Sequence, residues 1–212
     1  MKYSQMDWGT MEAVVNKLGG MEGAQRFLRD ELSVSEPTRS WREEDGVIYF
    51  SVTSDGTTGE GWITRLESKG LRVSDYAKQI LRSPDFKPTS GVTTEVVVLK
   101  GTLFNDENRI TKKIRAEADK RKLEKPNAEL ACLIRLKFTD KEIEAMGLWW
   151  IVAMHEPIKD SVGDPDLLYA NRGVDGRWLG AYYDGPGSGW DSDGGFAFVL
   201  PQVQSSVSSS QP

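Results

Sequence analysis

The sequence has few of the side chains that most catalytic and metal sites need. Cys132 is the single cysteine and His155 the single histidine among 212 residues. One cysteine excludes an internal disulfide, and one histidine excludes every metal motif built on a histidine pair. Cys132 lies on the apolar side of a predicted helix, where a thiol is ordinarily inert packing. No metal and no other cofactor is implied.

Long apolar runs are also missing. The longest, at residues 146–154, has nine residues, about half of what a helix needs to cross a bilayer. The first residues, MKYSQMDWG, lack the apolar segment of a secretory signal. We therefore expect a soluble protein without a membrane partner and place it in the cytoplasm, with surface display as an open alternative.

The chain has no excess of positive charge. Its net charge is −5 and its isoelectric point is near 5.1, which disfavours a protein that mainly neutralises phosphate backbones. Basic residues crowd into 112–125, but Glu117, Asp119 and Glu124 interleave with them at helical spacing. This pattern predicts a salt-bridged, solvated helix. The alternative is an intracellular regulator that binds nucleic acid through residues 7–32 and this helix.

Hydrophobic periodicity predicts an α+β protein in which a helix-rich region with a few strands, residues 1–145, supports a β-rich region, residues 146–203. A Ser-rich tail, 204–212, has nothing to bury. Thr139 begins a short helix, because Thr-Asp-Lys-Glu has capping-box spacing. The other predicted helices are a hairpin over 7–32 and segments at 62–70, 73–81, 110–125 and 128–138.

Strand-forming residues recur between turns along the chain. The run 148–154 is short and rich in strand formers, so we predict a buried central strand there. After it, Gly, Asp, Ser and Pro separate three short segments that we expect to pair as an antiparallel sheet. The other predicted strands are 47–53 and 93–99, and the three short segments are 167–170, 178–183 and 196–200.

His155 is the one candidate for acid–base chemistry. It directly follows the predicted buried strand, where a hydrogen-bonded structural histidine is our preferred interpretation. The alternative is a small enzyme that uses His155 with Glu156, Asp160 or Asp164, and that alternative predicts a pocket converging on His155. The aspartates at 160, 164 and 166 match no calcium-ligand spacing, and turn formation explains them.

The segment from Asp160 to Pro201 has an unusual composition. Its 42 residues include no Lys, Glu, Gln or Met, whereas residues 1–159 contain 39 of these. Apart from Trp178 and Trp190, every residue belongs to the fifteen types encoded by codons that end in a pyrimidine. Those types are the products available when the adenines of the asparagine codons AAC and AAT are randomised.

The C-terminal sequence resembles a known family in the stretches Asn171-Arg-Gly-Val-Asp-Gly-Arg-Trp-Leu-Gly-Ala-Tyr-Tyr-Asp and Gly189-Trp-Asp-Ser-Asp-Gly-Gly-Phe-Ala-Phe-Val-Leu. They look like the variable end of the target proteins of diversity-generating retroelements, over about residues 148–201. In that bacterial family a reverse transcriptase copies a template repeat, with errors at adenines, into the target gene. The resemblance implies a hypervariable ligand-binding surface on a C-type-lectin-like fold, although 107–146 reads as helix where the family has further lectin-like sequence.

The residue types agree with a binding surface. Tyr, Asp, Asn, Ser and Gly between apolar anchors resemble antibody paratopes, where Tyr supplies contact area and small polar residues adapt their hydrogen bonds. We therefore expect a non-enzymatic protein that binds a protein or other macromolecule, with Tyr182, Tyr183, Asp184 and Asp191 on one exposed face. A turn-rich sheet with no special role is the alternative. The full set of predicted contacts is Tyr169, Asn171, Val174, Asp175, Tyr182, Tyr183, Asp184, Ser188, Asp191, Ser192 and Asp193, and the predicted anchors are Trp178, Leu179, Ala181, Trp190, Phe196 and Phe198.

Overall fold

The computed structural model describes residues 7–33, 39–173 and 176–201. The chain divides into two compact units, Met1–Arg39 and Ser40–Pro212. The first unit contains the predicted hairpin of α1, Trp8–Lys17, and α2, Gly20–Leu28. The Asp7 carboxylate caps α1 by accepting a hydrogen bond from the Thr10 amide at 2.7 Å, which satisfies a backbone donor at the helix start.

The second unit is built on one mixed sheet, to which the described residues contribute nine strands. The strand order is β1-β2-β4-β9-β5-β7-β8-β3, and β6 pairs with β7 at the side. The predicted central strand is confirmed as β5. The strands are β1 Arg42–Glu44, β2 Val47–Asp55, β3 Arg72–Val73, β4 Ser90–Lys100, β5 Trp150–Ala153, β6 Ile158–Lys159, β7 Pro165–Gly173, β8 Gly176–Tyr183 and β9 Gly194–Val199.

The expectation of an antiparallel C-terminal sheet is confirmed where β7 pairs with β5 and with β8, and it is wrong where β5 runs parallel to β9. β8 also pairs in parallel with β3, a strand from residues 1–145. β9 also pairs with β4, a strand of the region we expected only to support the binding region. One sheet therefore crosses the boundary expected between residues 145 and 146. Pairing between strands so distant in sequence leaves no local signal.

Helices cover the two faces of this sheet. One face, which we call the α6 face, packs under α3, α4, α6 and α7 through a large apolar core. The opposite face, the α5 face, packs under α5 across β4, β9 and β5. The helices are α3 Gly59–Ser68, α4 Asp75–Arg82, α5 Thr111–Lys120, α6 Glu129–Lys137 and α7 Asp140–Ala145, with 3-10 turns at Gly101–Leu103 and Asp106–Asn108.

Helix boundaries follow side-chain caps. At α7 the Thr139 hydroxyl accepts from the Glu142 amide and the Glu142 carboxylate accepts from the Thr139 amide, so the predicted capping box is confirmed. At α4 the Ser74 hydroxyl caps the helix by accepting a hydrogen bond from the Ala77 amide. The helix therefore starts after Val73, which we expected to belong to it and which instead pairs with β8 as part of β3. No helix among the described residues is both long and apolar enough to span a bilayer.

Cys132 lies fully buried in α6. Burial raises the pKa of its thiol well above the ordinary range, because the apolar core disfavours the thiolate. The predicted position of Cys132 on the apolar side of a helix is confirmed.

Candidate pocket on the open half of the sheet

Beyond α5, no helix among the described residues of the second unit packs on the α5 face over β5, β7 and β8. A pocket of about 170 Å³ lies there. Four aromatic rings and two polar side chains line it together with the backbone at Gly189. We call it the aromatic pocket; the six side chains are Trp150, Tyr169, Asn171, Tyr182, Trp190 and Asp191.

Strand register places the floor of the aromatic pocket. Tyr169 on β7 pairs with Gly180 on β8, and Trp150 on β5 pairs with Gly194 on β9. Both rings lie across their glycine partners: a Cβ at Gly180 would be 2.5 Å from the Tyr169 ring, and one at Gly194 would overlap the Trp150 ring. The two glycines give these rings room to lie against the sheet.

Trp190 forms the wall that joins the other rings. Its centroid lies 5.2 Å from that of Trp150 and 4.9 Å from that of Tyr182, with interplanar angles of 43° and 45°. These distances are typical of favourable aromatic pairs. The three tilted rings together form a concave surface that is open to solvent at Tyr182, which is 47% exposed.

The start of α5 holds this wall in place. The Trp190 indole N–H donates to the Thr111 hydroxyl at 3.0 Å, and the Trp190 amide donates to the carbonyl of Arg109 at 3.0 Å. The amides of Thr111 and Lys112 donate to the carbonyls of Ser188 and Pro186, both at 3.1 Å. The loop after β8 is therefore fixed to a helix, and the indole nitrogen is already engaged.

The polar groups of the aromatic pocket, besides the Trp190 indole, are the phenols of Tyr169 and Tyr182, the Asn171 amide and the Asp191 carboxylate. The Asn171 side-chain oxygen is buried and accepts no hydrogen bond from the described residues. Behind it, the buried Arg135 guanidinium donates to the Asn171 backbone carbonyl at 2.9 Å, which fixes that residue. The Asp191 carboxylate is exposed at the rim. Burial, and then the neighbouring Tyr182, raise the pKa of the Tyr169 phenol, so it stays neutral.

The structure brings together four of the predicted contact residues, Tyr169, Asn171, Tyr182 and Asp191. Ser192 and Asp193 are exposed in the turn that follows Asp191. The Ser188 hydroxyl accepts from the Gly185 amide at 3.0 Å, so it stabilises its own turn. Val174 and Asp175 lie outside the described residues.

We predicted that one exposed face carries Tyr182, Tyr183, Asp184 and Asp191, and this prediction is wrong. Tyr183 follows Tyr182 in β8 and points to the α6 face, because successive side chains of a strand alternate. Asp184 is buried, and its carboxylate accepts from the Arg115 guanidinium at 2.7 Å. Burial raises the pKa of the Asp184 carboxyl and Arg115 opposes that rise. Asp184 therefore ties the end of β8 to α5 and is not a surface contact.

The predicted anchors differ among themselves. Leu179, Phe196 and Phe198 are buried as expected, and Ala181 packs partly buried against the core. Trp178 is half-buried, and the Arg72 guanidinium lies over its ring at 5.2 Å. Trp190 is both anchored and part of the aromatic pocket.

His155 is a structural residue. Its Nδ1 lies 2.6 Å from the Glu156 carbonyl and its Nε2 accepts from the Leu168 amide at 3.0 Å. Both ring nitrogens are therefore occupied in the neutral tautomer with a proton on Nδ1. Burial lowers the pKa of the imidazole to about 4. No nitrogen remains for the acid–base role of the enzyme alternative.

The described residues give no geometric support to a metal site or to a nucleic-acid-binding surface on the basic cluster. Within the described ranges, no three His, Cys, Asp or Glu side chains are placed to hold a metal ion. On α5, Glu117 pairs with Arg121 at 2.9 Å and with Lys120 at 3.4 Å, as the interleaved charges predict. Farther along, Lys125 pairs with Glu156. Several positive charges of the basic cluster at 112–125 are therefore already paired with glutamate carboxylates.

Comparison with known proteins returns no match: no family model, no curated protein and no solved structure is significantly similar to this chain. Function must therefore be argued from the site itself.

Sequence reasoning missed three residues that build the aromatic pocket, namely Trp150, Gly180 and Gly194. Trp150 is half-buried at the start of β5 and belongs to the pocket as well as to the predicted strand. A glycine inside a strand signals close approach of another group, and the sequence carries that signal at Gly180, inside the predicted strand 178–183, but not at Gly194, which precedes the predicted strand 196–200. Which ring approaches each glycine depends on strand register.

Proposed function

We propose that this protein is a non-enzymatic recognition protein and that the aromatic pocket is its binding site. One observation carries the proposal: four residues selected from the sequence as ligand contacts, separated by up to 22 positions, line one pocket with two tryptophans. An aromatic lining with a few polar groups is the usual composition of a ligand site. The broad exposed face expected from the sequence is not part of the proposal.

Preorganisation supports the same function. The Trp190 wall is fixed by α5, the floor rings lie on glycines, and the Asn171 backbone is held by Arg135. A ligand that enters finds rings already in place, which reduces the entropy cost of binding. At about 170 Å³ the aromatic pocket is smaller than a typical small-molecule site of roughly 300–1,000 Å³. It therefore suits one group inserted by a protein or other macromolecule.

The proposal has three further parts: diversification by a retroelement, a C-type-lectin-like relationship of the C-terminal strands, and a cytoplasmic location. Support for the first comes from composition, since Tyr169, Asn171, Tyr182 and Asp191 all belong to residue types that adenine randomisation of asparagine codons produces. The partial exposure of Tyr182 and the exposure of Asp191 leave room for substitution.

The binding proposal is tested with a fragment library of amines, sugars, amides and carboxylates, observed by saturation-transfer NMR on the full chain. We expect a subset of fragments to bind and to lose binding in Tyr182→Ala. Tyr183→Ala is the matched control, because this neighbour has similar exposure but points to the other face. The proposal fails if no fragment distinguishes the two variants.

The diversification proposal is tested by sequencing a few kilobases downstream of the gene. We expect a reverse-transcriptase gene and a near-copy of the DNA that encodes residues 165–201, differing only where the copy carries adenine. If neither is found there, the retroelement is dropped, and the aromatic pocket remains to be judged by the fragment experiment.

A further inference from the structure

We propose that the aromatic pocket binds an alkylammonium cation, an inference that rests on the proposed function. Of the described residues that line the pocket, Asp191 alone carries a formal charge, and that charge is negative. No lysine or arginine is among them. The charge balance therefore favours a cationic group over a carboxylate or phosphate.

The rings provide the main surface for such a cation. The face of an aromatic ring carries the negative part of its quadrupole, and tryptophan and tyrosine faces attract cations within about 6 Å. Trp150 and Tyr182 each tilt by about 45° from Trp190, on which both pack. A group in this concave surface contacts several ring faces at once, which is the arrangement that recognises methylated ammonium ions.

The phenol and amide groups of the aromatic pocket can each accept as well as donate a hydrogen bond. The Trp190 indole N–H is engaged by Thr111, so it offers no donor to a ligand. The Asn171 side-chain oxygen is closed to solvent and has no partner among the described residues, so a ligand in the open pocket would not reach it. A methylated ammonium group would contact the rings through its methyl groups. A bare lysine ammonium is more strongly hydrated and fits an apolar lining less well.

The decisive comparison uses matched small probes in a tryptophan-fluorescence titration of the full chain at pH 7. The probes are N,N-dimethylethanolamine, a cation with one N–H, choline, a cation with none, and 3,3-dimethyl-1-butanol, the neutral isostere of choline. We expect both cations to bind at least about fivefold more tightly than the neutral isostere.

A charge variant tests the role of the rim. Asp191→Asn is expected to weaken cation binding about threefold or more and to reduce its dependence on salt, with binding of the neutral isostere unchanged. Asp193→Asn is the matched control, since Asp193 is an exposed aspartate in the same turn that does not line the pocket. Equal effects of the two variants, or equal affinity for choline and its neutral isostere, would overturn the inference.

Two further outcomes separate this inference from the proposed function and identify the source of the cation. If fragments bind in a Tyr182-dependent manner but show no preference for cations, recognition stands and the alkylammonium inference falls. A peptide that contains dimethyllysine is titrated alongside the free amines. Tighter binding of the peptide by tenfold or more would identify a modified protein side chain as the ligand, and equal binding would identify a free amine.

Discussion

Asp166 provides a sharp test of the electrostatics of the second unit. Asp166 lies near the start of β7 and is only 6% exposed. Burial, and then repulsion from Asp160 and Asp164, raise the pKa of its carboxyl from the ordinary 3.8 to about 6. Since one pKa unit corresponds to about 1.4 kcal/mol, ionised Asp166 costs the folded state up to about 3 kcal/mol at pH 8. Salt screens the repulsion, so we expect about 1–3 kcal/mol in 0.15 M salt.

The sign of the effect follows from the raised pKa. The folded state binds the Asp166 proton more tightly than the unfolded chain does, so this contribution to stability is fully present below pH 3.8 and is lost as the pH rises through about 6. His155 acts oppositely. Because burial lowers its pKa from 6.5 to about 4, the folded state loses stability as the pH falls through the same window. The two effects largely cancel in the wild-type protein.

The assay is therefore a comparison and not a single pH curve. Urea unfolding of wild type and Asp166→Asn is measured at pH 8 and at pH 4.5. We expect the variant to be more stable than wild type by about 1–3 kcal/mol at pH 8, with the advantage shrinking or reversing at pH 4.5. Because the variant lacks the opposing effect of Asp166, its stability should fall between pH 6.5 and pH 4, where buried His155 destabilises the folded state. A difference between the two proteins that is the same at both pH values would refute the reasoning.

Two more predictions concern the groups that support the aromatic pocket. Arg135→Ala removes a fully buried guanidinium that donates to the carbonyls of Asn171 and Phe138. We expect the free energy of unfolding, measured with urea, to fall by about 3 kcal/mol, and we expect Arg135→Lys to restore only part of it. A loss below about 1 kcal/mol would contradict this role. Gly180→Ala places a methyl group against the Tyr169 ring, so we expect at least tenfold weaker fragment binding with a native circular-dichroism spectrum. Unchanged binding would show that the ring position is unimportant.

Local physics explains why much of the fold is predictable from the sequence. The capping box at Thr139 involves residues three positions apart, and the apolar run that contains β5 signals burial on both faces. The parallel pairing of β5 with β9 joins strands that are about 45 residues apart, and nothing in either segment specifies the partner. Sheet order and direction therefore had to come from the structure.

The candidate site, too, was predictable from the sequence only in part. Strand alternation alone separates Tyr182 from Tyr183, so their expected common face conflicted with the predicted strand over 178–183. The burial of Asp184 could not be seen in this way, because its partner Arg115 is 69 positions away. Composition selected the region that supplies most of the aromatic pocket, and tertiary contacts decided which side chains within it are available.

The aromatic pocket combines positions that adenine-directed change can and cannot reach. Tryptophan, encoded only by TGG, is not among the fifteen types that randomised AAC and AAT codons produce, so Trp190 is outside the reach of such change. Tyr182 and Asp191 have adenine in the second codon position and belong to the fifteen types, and their side chains line the pocket beside Trp190. Asp184 has such a codon too, but its side chain holds Arg115. A diversified version of this chain would therefore retain Asp184 through selection for folding while Tyr182 and Asp191 vary.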